Sequence, residues 1–281
     1  MSDSKYTFEK SKIIQGDCLE KMKLIPDGSI DMILADLPYG TTNCSWDSLI
    51  NLDKLWIEYE RIIKDSGAIV MTAQTPFDKV LACSNLKLLR YEWIWEKTQA
   101  TGHLNAKKMP MKAHENILVF YKKLPTYNPQ MTHGHIRKVS SAKNRGACIE
   151  RRNNTDNIYS NEYADRVKDY DSTSRYPRSV ITFATDKQTS NLHKTQKPVS
   201  LFEYLIKTYS NEGDIILDNV AGSGTTGEVC IKNNRDFILI EKELKYYEVI
   251  KKRIVNLFTN YGINSEELLK NFFDKRETKW I

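Results

Sequence analysis

The sequence of 281 residues has few cysteines, and their arrangement predicts neither a zinc site nor a disulfide framework. The five cysteines are scattered and lack C-x-x-C spacing, so they are interpreted as reduced packing residues. The five histidines form no H-E-x-x-H pattern, and the pair His133 and His135 has no carboxylate beside it in the sequence. The sequence therefore does not predict a metal centre.

Long apolar runs are also missing. No stretch approaches the roughly 18 residues that a membrane span requires, and residues 1–5 lack the apolar core of a secretory signal. We therefore expect a cytoplasmic protein without a membrane partner. With 40% hydrophobic residues, the chain has enough apolar side chains for one large α/β core.

A chemically suggestive turn follows the apolar run Ile30–Ala35, which predicts a buried strand. The carboxylate of Asp36 and the backbone carbonyl of Leu37 can accept hydrogen bonds from an exocyclic amine and stabilise positive charge on its nitrogen. Pro38 restricts the backbone and helps to aim that carbonyl outward. Tyr39 offers a ring on which a planar base can stack. Taken alone, these residues are equally typical of a simple strand-to-loop turn.

A second motif combines a strand, a glycine-rich turn, a helix and another strand. The strand Asp214–Asp218 precedes the turn Asn219–Gly227, and the strand Asp236–Ile240 is followed by Glu241. Glycines after a parallel strand let the backbone approach a ligand, and an acid at the tip of the next strand commonly bonds ribose hydroxyls. This pattern predicts a site for a cofactor that contains adenosine.

The spacing of Gly222, Gly224 and Gly227 also fits the G-x-G-x-x-G fingerprint of nicotinamide enzymes. Only 40 residues follow Glu241, too few for the remaining strands of a doubly wound sheet, so those strands must lie upstream. Four short runs rich in β-branched or aromatic residues supply them, namely 29–35, 67–72, 91–95 and 116–121. We therefore predict a permuted sheet, with the chemical half first and the cofactor half last.

Two segments, 49–63 and 243–258, carry apolar residues at spacings of three or four and are predicted to be helices that pack on the core. The expected buried faces are Leu52, Leu55, Trp56, Tyr59, Ile62 and Ile63 in the first segment, and Leu244, Tyr247, Ile250, Ile254, Leu257 and Phe258 in the second. The apolar residues of 265–281 are expected to dock on the core or on a second subunit.

Basic charge is concentrated between Lys122 and Val180. This stretch has twelve Lys and Arg against six Asp and Glu, a net charge of +6 that equals the formal net charge of the whole chain. Clustered cations neutralise phosphates, and Asn and Arg can read purine edges in the major groove. By composition alone, a solvated loop is the simpler interpretation. A second basic loop, with Lys107, Lys108 and Lys112, is equally compatible with a DNA contact or a solvated face.

Five motifs, taken in order, resemble those of the amino-group DNA methyltransferases of the β order, in which the catalytic tetrapeptide precedes the target-recognition segment and the cofactor loop comes last. Ile14–Cys18 resembles the early cofactor motif, and Asp36–Tyr39 resembles the D-P-P-Y tetrapeptide. His114–Phe120 resembles the H-E-x-I-L-V-F strand of the target pocket, and His193–Val199 resembles the H-x-T-Q-K-P segment. Leu217–Thr226 resembles the L-D-x-F-x-G-S-G-T-T loop.

Two positions depart from the family pattern. Leu37 replaces the first proline of the tetrapeptide, but the group that matters there is a backbone carbonyl, which leucine also has. Val220 replaces a phenylalanine of the cofactor loop and is expected to pack less tightly against the cofactor.

The resemblance implies a permuted Rossmann-like α/β methyltransferase fold, with a mostly parallel sheet, helices on both faces and a basic target-recognition insertion. The implied divisions are a catalytic half at 1–121, the insertion at 122–178, and a cofactor-binding half with C-terminal helices at 179–281. The resemblance further implies S-adenosylmethionine as cofactor and duplex DNA as partner, and it leaves a homodimer open.

The resemblance also implies two sets of site residues. The catalytic residues are Asp36, Leu37, Pro38 and Tyr39. The residues that would hold the cofactor are Asp17, Cys18, Asp36, Lys197, Pro198, Asp218, Val220, Ala221, Gly222, Ser223, Gly224, Thr225, Thr226 and Glu241.

An aspartate at the first position of the tetrapeptide resembles the adenine-N6 enzymes, whereas a serine there resembles the cytosine-N4 enzymes. Adenine N6 in duplex DNA, reached by base flipping and direct displacement, is the predicted target, with cytosine N4 as the alternative. The C5-cytosine class uses a nucleophilic thiol, usually in a Pro-Cys pair, and no proline here precedes a cysteine. Less favoured alternatives are an RNA or peptide-amide methyltransferase, a nicotinamide oxidoreductase and a DNA-binding protein without catalysis.

Overall fold

The computed structural model describes residues 8–40, 49–144, 168–185 and 197–260. Its residues group into two units, the first combining Met1–Asn128 with Ser179–Ile281 and the second comprising Pro129–Arg178. The sequence analysis places the start of the insertion at Lys122, a few residues before the second unit starts at Pro129.

The first unit is built on a sheet of eight strands. They are β1 (Lys12–Gln15), β2 (Ile30–Ala35), β3 (Ile63–Ala73), β4 (Leu89–Thr101), β5 (Lys112–Phe120), β8 (Val180–Phe183), β9 (Ile215–Asp218) and β10 (Asp236–Glu241). Their order in the sheet is β1-β10-β9-β2-β3-β5-β4-β8. Among these strands, β5 runs antiparallel to both of its neighbours and every other neighbouring pair is parallel. The predicted mostly parallel sheet is confirmed.

The second unit contains a small antiparallel sheet. Its strands are β6 (Lys138–Ser140) and β7 (Tyr170–Ser172), paired so that Val139 lies opposite Asp171. Arg137 and Asp171 form an ion pair at 2.5 Å beside this sheet. The basic residues Arg145, Arg151, Arg152 and Arg166 lie outside the described residues.

Helices cover both faces of the large sheet. They are α1 (Cys18–Met22), α2 (Leu52–Ile62), α3 (Phe77–Ser84), α4 (Val199–Tyr209), α5 (Thr225–Lys232) and α6 (Leu244–Asn260), with a short 3-10 helix at His103–Asn105. Successive side chains of a strand point to opposite faces. On β2, Met32 and Leu34 accordingly pack with residues of α4, α5 and α6, while Ile33 and Ala35 pack with residues of α1, α2 and α3.

The two predicted helices correspond to α2 and α6, with differences at their ends and in one buried residue. The first begins at Leu52 rather than at residue 49, because Asn51 has extended backbone and caps the helix by accepting from the Lys54 amide. It ends at Ile62 rather than Ile63, because Ile63 has extended backbone and begins β3 beside Ile30. The second runs from Leu244 to Asn260 rather than from 243 to 258. The inclusion of Leu244 in the buried face was wrong, since its side chain is 61% exposed. Leu244 is the first residue of α6, whereas Ile250, Ile254 and Phe258 further along the helix are buried.

Strand direction determines which residues meet at one edge of the sheet. The carboxyl ends of the parallel strands β1, β10, β9 and β2 share that edge, with Gln15 opposite Glu241 and Ile33 opposite Leu217. The antiparallel β5 brings its amino-terminal half there, since Asn116 lies opposite Ala73 near the end of β3. The loops that follow the parallel strands are therefore neighbours.

Within the described ranges, no helix is long and apolar enough to cross a membrane. The same residues contain no group of three or more His, Cys, Asp and Glu side chains that could hold a metal ion.

Candidate active site

Asp36 is the centre of a hydrogen-bonded group just after the carboxyl end of β2. The Tyr39 hydroxyl donates to Asp36 Oδ1 at 2.7 Å, and the Thr72 hydroxyl donates to the same oxygen at 2.5 Å. Lys197 Nζ lies 2.9 Å from Oδ1. The Asp36 side chain is still 23% exposed, so a ligand can reach the carboxylate.

Lys197 belongs to a chain of alternating charges that leads away from Asp36. Its Nζ lies 3.0 Å from Glu115 Oε2, and Glu115 Oε1 lies 2.5 Å from Lys97 Nζ. The contact with Oε2 is an ion pair rather than an aligned hydrogen bond. The side chains of Lys97, Glu115 and Lys197 are each less than 10% exposed. The two lysines and two carboxylates therefore neutralise one another inside the protein.

Local charges favour the ionised forms of Lys197 and Glu115. Burial by itself lowers the pKa of Lys197, but the negative charges of Asp36 and Glu115 outweigh burial and hold it well above the usual lysine value. Burial alone would raise the pKa of Glu115, yet Lys197 and Lys97 together bring it below the usual value. Lys197 is consequently a permanent cation beside the Asp36 carboxylate.

Tyr39 is partly buried, and its ring stacks on Phe77 with the centroids 5.3 Å apart and the planes at 28°. Lys197 Nζ lies 5.5 Å from the Tyr39 ring centroid. Burial and the nearby Asp36 carboxylate raise the pKa of the Tyr39 hydroxyl well above its usual value. The hydroxyl therefore stays protonated and serves as a donor to Asp36.

The side chain of Leu37, the residue that departs from the family tetrapeptide, has a packing role. Its side chain is 2% exposed and packs in the core with Ala35 and Leu217, while Pro38 and Tyr39 remain partly exposed. The leucine thus anchors the tetrapeptide to the sheet.

Two glycines of the turn after β9 have the left-handed backbone that favours glycine, but their surroundings differ. Gly224 has φ of +77°, and a Cβ there would lie 3.1 Å from the Ile250 side chain of α6. Gly222 has φ of +52°, but a Cβ there would meet only the Val220 carbonyl oxygen, at 4.0 Å. Gly224 therefore permits close helix packing, whereas Gly222 leaves open space beside its backbone.

Asp218, at the end of β9, is buried and stabilises the glycine-rich turn through two hydrogen bonds. Its Oδ2 accepts a hydrogen bond from the Thr226 hydroxyl at 2.5 Å, and its Oδ1 accepts one from the Val220 amide at 3.2 Å. Burial raises the pKa of Asp218 to about 7, and the negative charges of Asp36 and Glu241 add to this increase. The charge of Asp36 affects Asp218 because the pairing of β2 with β9 brings the two motifs together.

Two further predicted acids lie at the ends of β10 and β1. Glu241 accepts hydrogen bonds from the amides of Gly222 and Glu243, both at 2.8 Å, and burial raises its pKa. Asp17 caps α1 by accepting from the Leu19 amide at 3.0 Å, and its side chain is 45% exposed.

The remaining predicted cofactor residues line the same region or support it. Cys18 is buried, and burial raises the pKa of its thiol. Ala221 donates its amide to the Ile240 carbonyl, which ties the turn to β10. Pro198 is the buried residue that precedes α4. Of the H-x-T-Q-K-P segment, residues 193–196 lie outside the described residues. Lys197 contacts Asp36 in the tetrapeptide, so its assignment to the cofactor stays a prediction.

Arg253, on α6, is a supporting residue that the motif analysis missed. Its Nη1 donates to the carbonyl and hydroxyl oxygens of Ser223 at 3.0 and 3.2 Å and to the Thr225 hydroxyl at 3.2 Å, while Nη2 pairs with Glu228 at 2.5 Å. Arg253 is only 9% exposed. The sequence offers one signal for this role, a basic residue at 253 among the apolar residues Ile250, Ile254 and Leu257 of the predicted buried face.

Thr72 and Tyr59 were also missed. Thr72 is fully buried near the end of β3 and donates to Asp36, while the Tyr59 hydroxyl of α2 donates to Asn219 Oδ1 at 2.6 Å. Both residues belong to ordinary apolar patterns, so no local signal distinguishes them from packing residues.

The model of the N6_N4_Mtase family, described as DNA methylase, matches residues 30–252. The chain belongs to this DNA methylase family. The DNA adenine methyltransferase YhdJ of Escherichia coli K12 is 31% identical to it over 96% of this chain and 90% of the relative. The type II methyltransferase M.HinfI of Haemophilus influenzae is 28% identical over 88% of this chain and 69% of the relative.

Solved structures share the fold of this family member. The M1.HpyAVI–SAM complex superposes with a TM-score of 0.59 at 21% identity, covering 86% of this chain and 98% of that chain. The cytosine-N4-specific PvuII DNA methyltransferase superposes with a TM-score of 0.60 at 14% identity, covering 92% of this chain and 90% of that chain. The predicted methyltransferase fold and family resemblance are confirmed.

The raised pKa of Asp218 predicts a specific pH dependence of stability. Between pH 4 and pH 7 the folded protein keeps the Asp218 proton that the unfolded chain has lost, so this contribution to stability decreases as the pH rises. We expect the unfolding free energy of wild type, relative to Asp218→Asn, to fall by up to about 4 kcal/mol over this range and to stay level above it. Urea denaturation of both proteins across the pH series measures the difference. A difference independent of pH would mean that Asp218 is ionised when folded.

Proposed function

We propose that this DNA methylase transfers a methyl group from S-adenosylmethionine to the N6 amino group of adenine in duplex DNA. The observation that carries the proposal is the placement of a partly exposed carboxylate, Asp36, at the sheet edge where the glycine turn follows β9. The aspartate at the first position of the tetrapeptide favours adenine, and the relative YhdJ is named a DNA adenine methyltransferase.

The residues at the glycine turn fit a bound adenosine cofactor. The open space beside Gly222 allows a ligand to approach the backbone, while Asp17 and Glu241 place carboxylates at the neighbouring strand ends. Each carboxylate oxygen has two lone pairs, so Glu241 can accept from ribose hydroxyls in addition to the amides that it already binds. Glu241 would hold the ribose, and Asp17 would face the adenine.

The residues of the tetrapeptide have separable roles. When bound, the cofactor supplies an electrophilic sulfonium methyl group. Asp36 and the Leu37 carbonyl accept hydrogen bonds from the target amine, which otherwise delocalises its lone pair into the base, and they stabilise the positive charge that develops on nitrogen. Tyr39 supports the extruded base by stacking, and extrusion costs a few kcal/mol of unstacking and unpairing. The lysine at 197 stays protonated and is therefore not the base that removes the amine proton.

The basic insertion is proposed to bind the DNA. Its net positive charge and its position between the catalytic and cofactor halves of the sequence support this role. Cytosine N4 is the alternative target within the same family, and the nucleoside that receives the methyl group distinguishes the two. We also propose cytoplasmic residence, whereas a homodimer stays open.

Asp36→Ala tests the assigned chemistry. Removing the acceptor should lower methyl transfer at least about 100-fold, since the charge on the amine is no longer stabilised. The affinity for S-adenosylmethionine should stay near the wild-type value, because the other residues assigned to the cofactor are unchanged. Incubation with labelled cofactor and mixed-sequence DNA, followed by digestion to nucleosides, measures transfer, and calorimetry measures affinity. Label on N6-methyladenine in wild type supports the proposal, label on N4-methylcytosine overturns the choice of base, and retained turnover by the variant overturns the role of Asp36.

Arg151→Ala tests the insertion. If Arg151 neutralises a phosphate, the slope of log affinity against log salt for duplex DNA should decrease in magnitude by about 0.9. Lys87→Ala is the matched control, because Lys87 is exposed just before β4, at the opposite edge of the sheet from Asp36. Fluorescence anisotropy at several salt concentrations gives the slopes. Equal slopes for Arg151→Ala and wild type would argue against a phosphate contact at this residue.

A further inference from the structure

We propose that Thr72 and Lys197 are positioning residues that fix the Asp36 carboxylate through Oδ1, so that Oδ2 is the oxygen that accepts from the target amine. This inference deepens the proposed function and rests on it. Neither residue would touch the reacting atoms. Each acts by restricting the rotation of Asp36.

The contacts of Asp36 are distributed unevenly over its two oxygens. Donors from three separate parts of the chain converge on Oδ1, namely Thr72 near the end of β3, Tyr39 in the tetrapeptide and Lys197 just before α4. Within the described parts of the chain, both hydrogen bonds that the Asp36 side chain accepts go to this oxygen, and so does its 2.9 Å contact with Lys197. Because a carboxylate oxygen has two lone pairs, three donors saturate Oδ1, and a further donor binds better at Oδ2.

The Lys197 ammonium is itself held in place. Besides Asp36, its Nζ contacts Glu115 Oε2, and the other oxygen of Glu115 pairs with Lys97. A buried ion pair contributes little net stability, but breaking it is costly because an uncompensated charge remains inside the protein. Lys197 is therefore restricted to the position from which it contacts Oδ1.

Thr72 gives the sharper test of this arrangement. It is fully buried, and its backbone pairs with Ile117 of β5, one residue beyond the last pair of β3 with β2, which joins Met71 to Ala35. Valine has nearly the shape of threonine but no hydroxyl, so Thr72→Val removes one donor to Asp36 with little change in packing. Serine keeps the hydroxyl and loses only a methyl group.

We expect Thr72→Val to lower the single-turnover rate of methyl transfer between about 10- and 100-fold, because small displacements of a positioned group cost rate. Cofactor affinity and KM for DNA should stay within about twofold of wild type, and Thr72→Ser should recover most of the rate. Rapid-quench transfer of labelled methyl groups, calorimetry and thermal denaturation give these quantities.

Thr208→Val is the matched control. Thr208 is also fully buried, but it donates to the Tyr204 carbonyl near the end of α4, so its loss should affect the melting temperature without slowing transfer. The inference is overturned if Thr72→Val transfers at the wild-type rate, if Thr72→Ser is as slow as the valine variant, or if only KM changes.

Glu115→Gln keeps the inference testable if Thr72→Val does not fold. This variant preserves shape and removes the charge that holds Lys197, so the same loss of rate at unchanged cofactor affinity is expected, and an unchanged rate would overturn the inference. Failure of the proposed function is distinguishable, because wild type would then leave adenine unlabelled in the same assay. An active wild type with equally active variants would overturn the positioning role alone.

Discussion

The parallel pairing of β2 with β9 is the constraint on which the rest of the site depends. Ile33 lies opposite Leu217 in this pairing, so the residues that follow the two strands meet although they are far apart in the sequence. Asp36 therefore lies near Asp218 and the glycine turn, and its negative charge contributes to the raised pKa of Asp218. A permuted chain reaches this arrangement because strand adjacency in a sheet does not depend on the order of its two halves.

Bringing several acids to one sheet edge creates repulsion that the protein must offset. The raised pKa of Asp218 favours its neutral form, which reduces the repulsion. Glu241 is stabilised by the hydrogen bonds that it accepts from the Gly222 and Glu243 amides. Asp36 has a buried lysine beside it, and Glu115 balances the remaining charge between two lysines. Asp36 therefore combines a buried cationic partner with a partly exposed carboxylate. This combination suits an acceptor of hydrogen bonds from a bound amine.

Motifs and periodicity predicted the parts of the structure that depend on local sequence. The apolar run of β2, the strand and glycine turn at β9, and the spacing of apolar residues in α2 and α6 each identified their element. Thr72 and Arg253 could not be found in this way, because each acquires its role only through a partner distant in sequence. Leu244 shows the opposite error, since a periodic pattern does not reveal where along a helix contact with the core begins.

The central claim is that Asp36 receives the target amine at the edge where the cofactor turn lies. A crystal structure of the protein with S-adenosylhomocysteine and a duplex containing its methylation site tests this claim most directly. The account predicts an extruded adenine whose N6 lies about 3 Å from Asp36 Oδ2 and from the Leu37 carbonyl oxygen, a hydrogen-bonding distance, with Thr72 and Lys197 still on Oδ1. A flipped base whose amine contacts other residues, with Asp36 remote from it, would contradict the account.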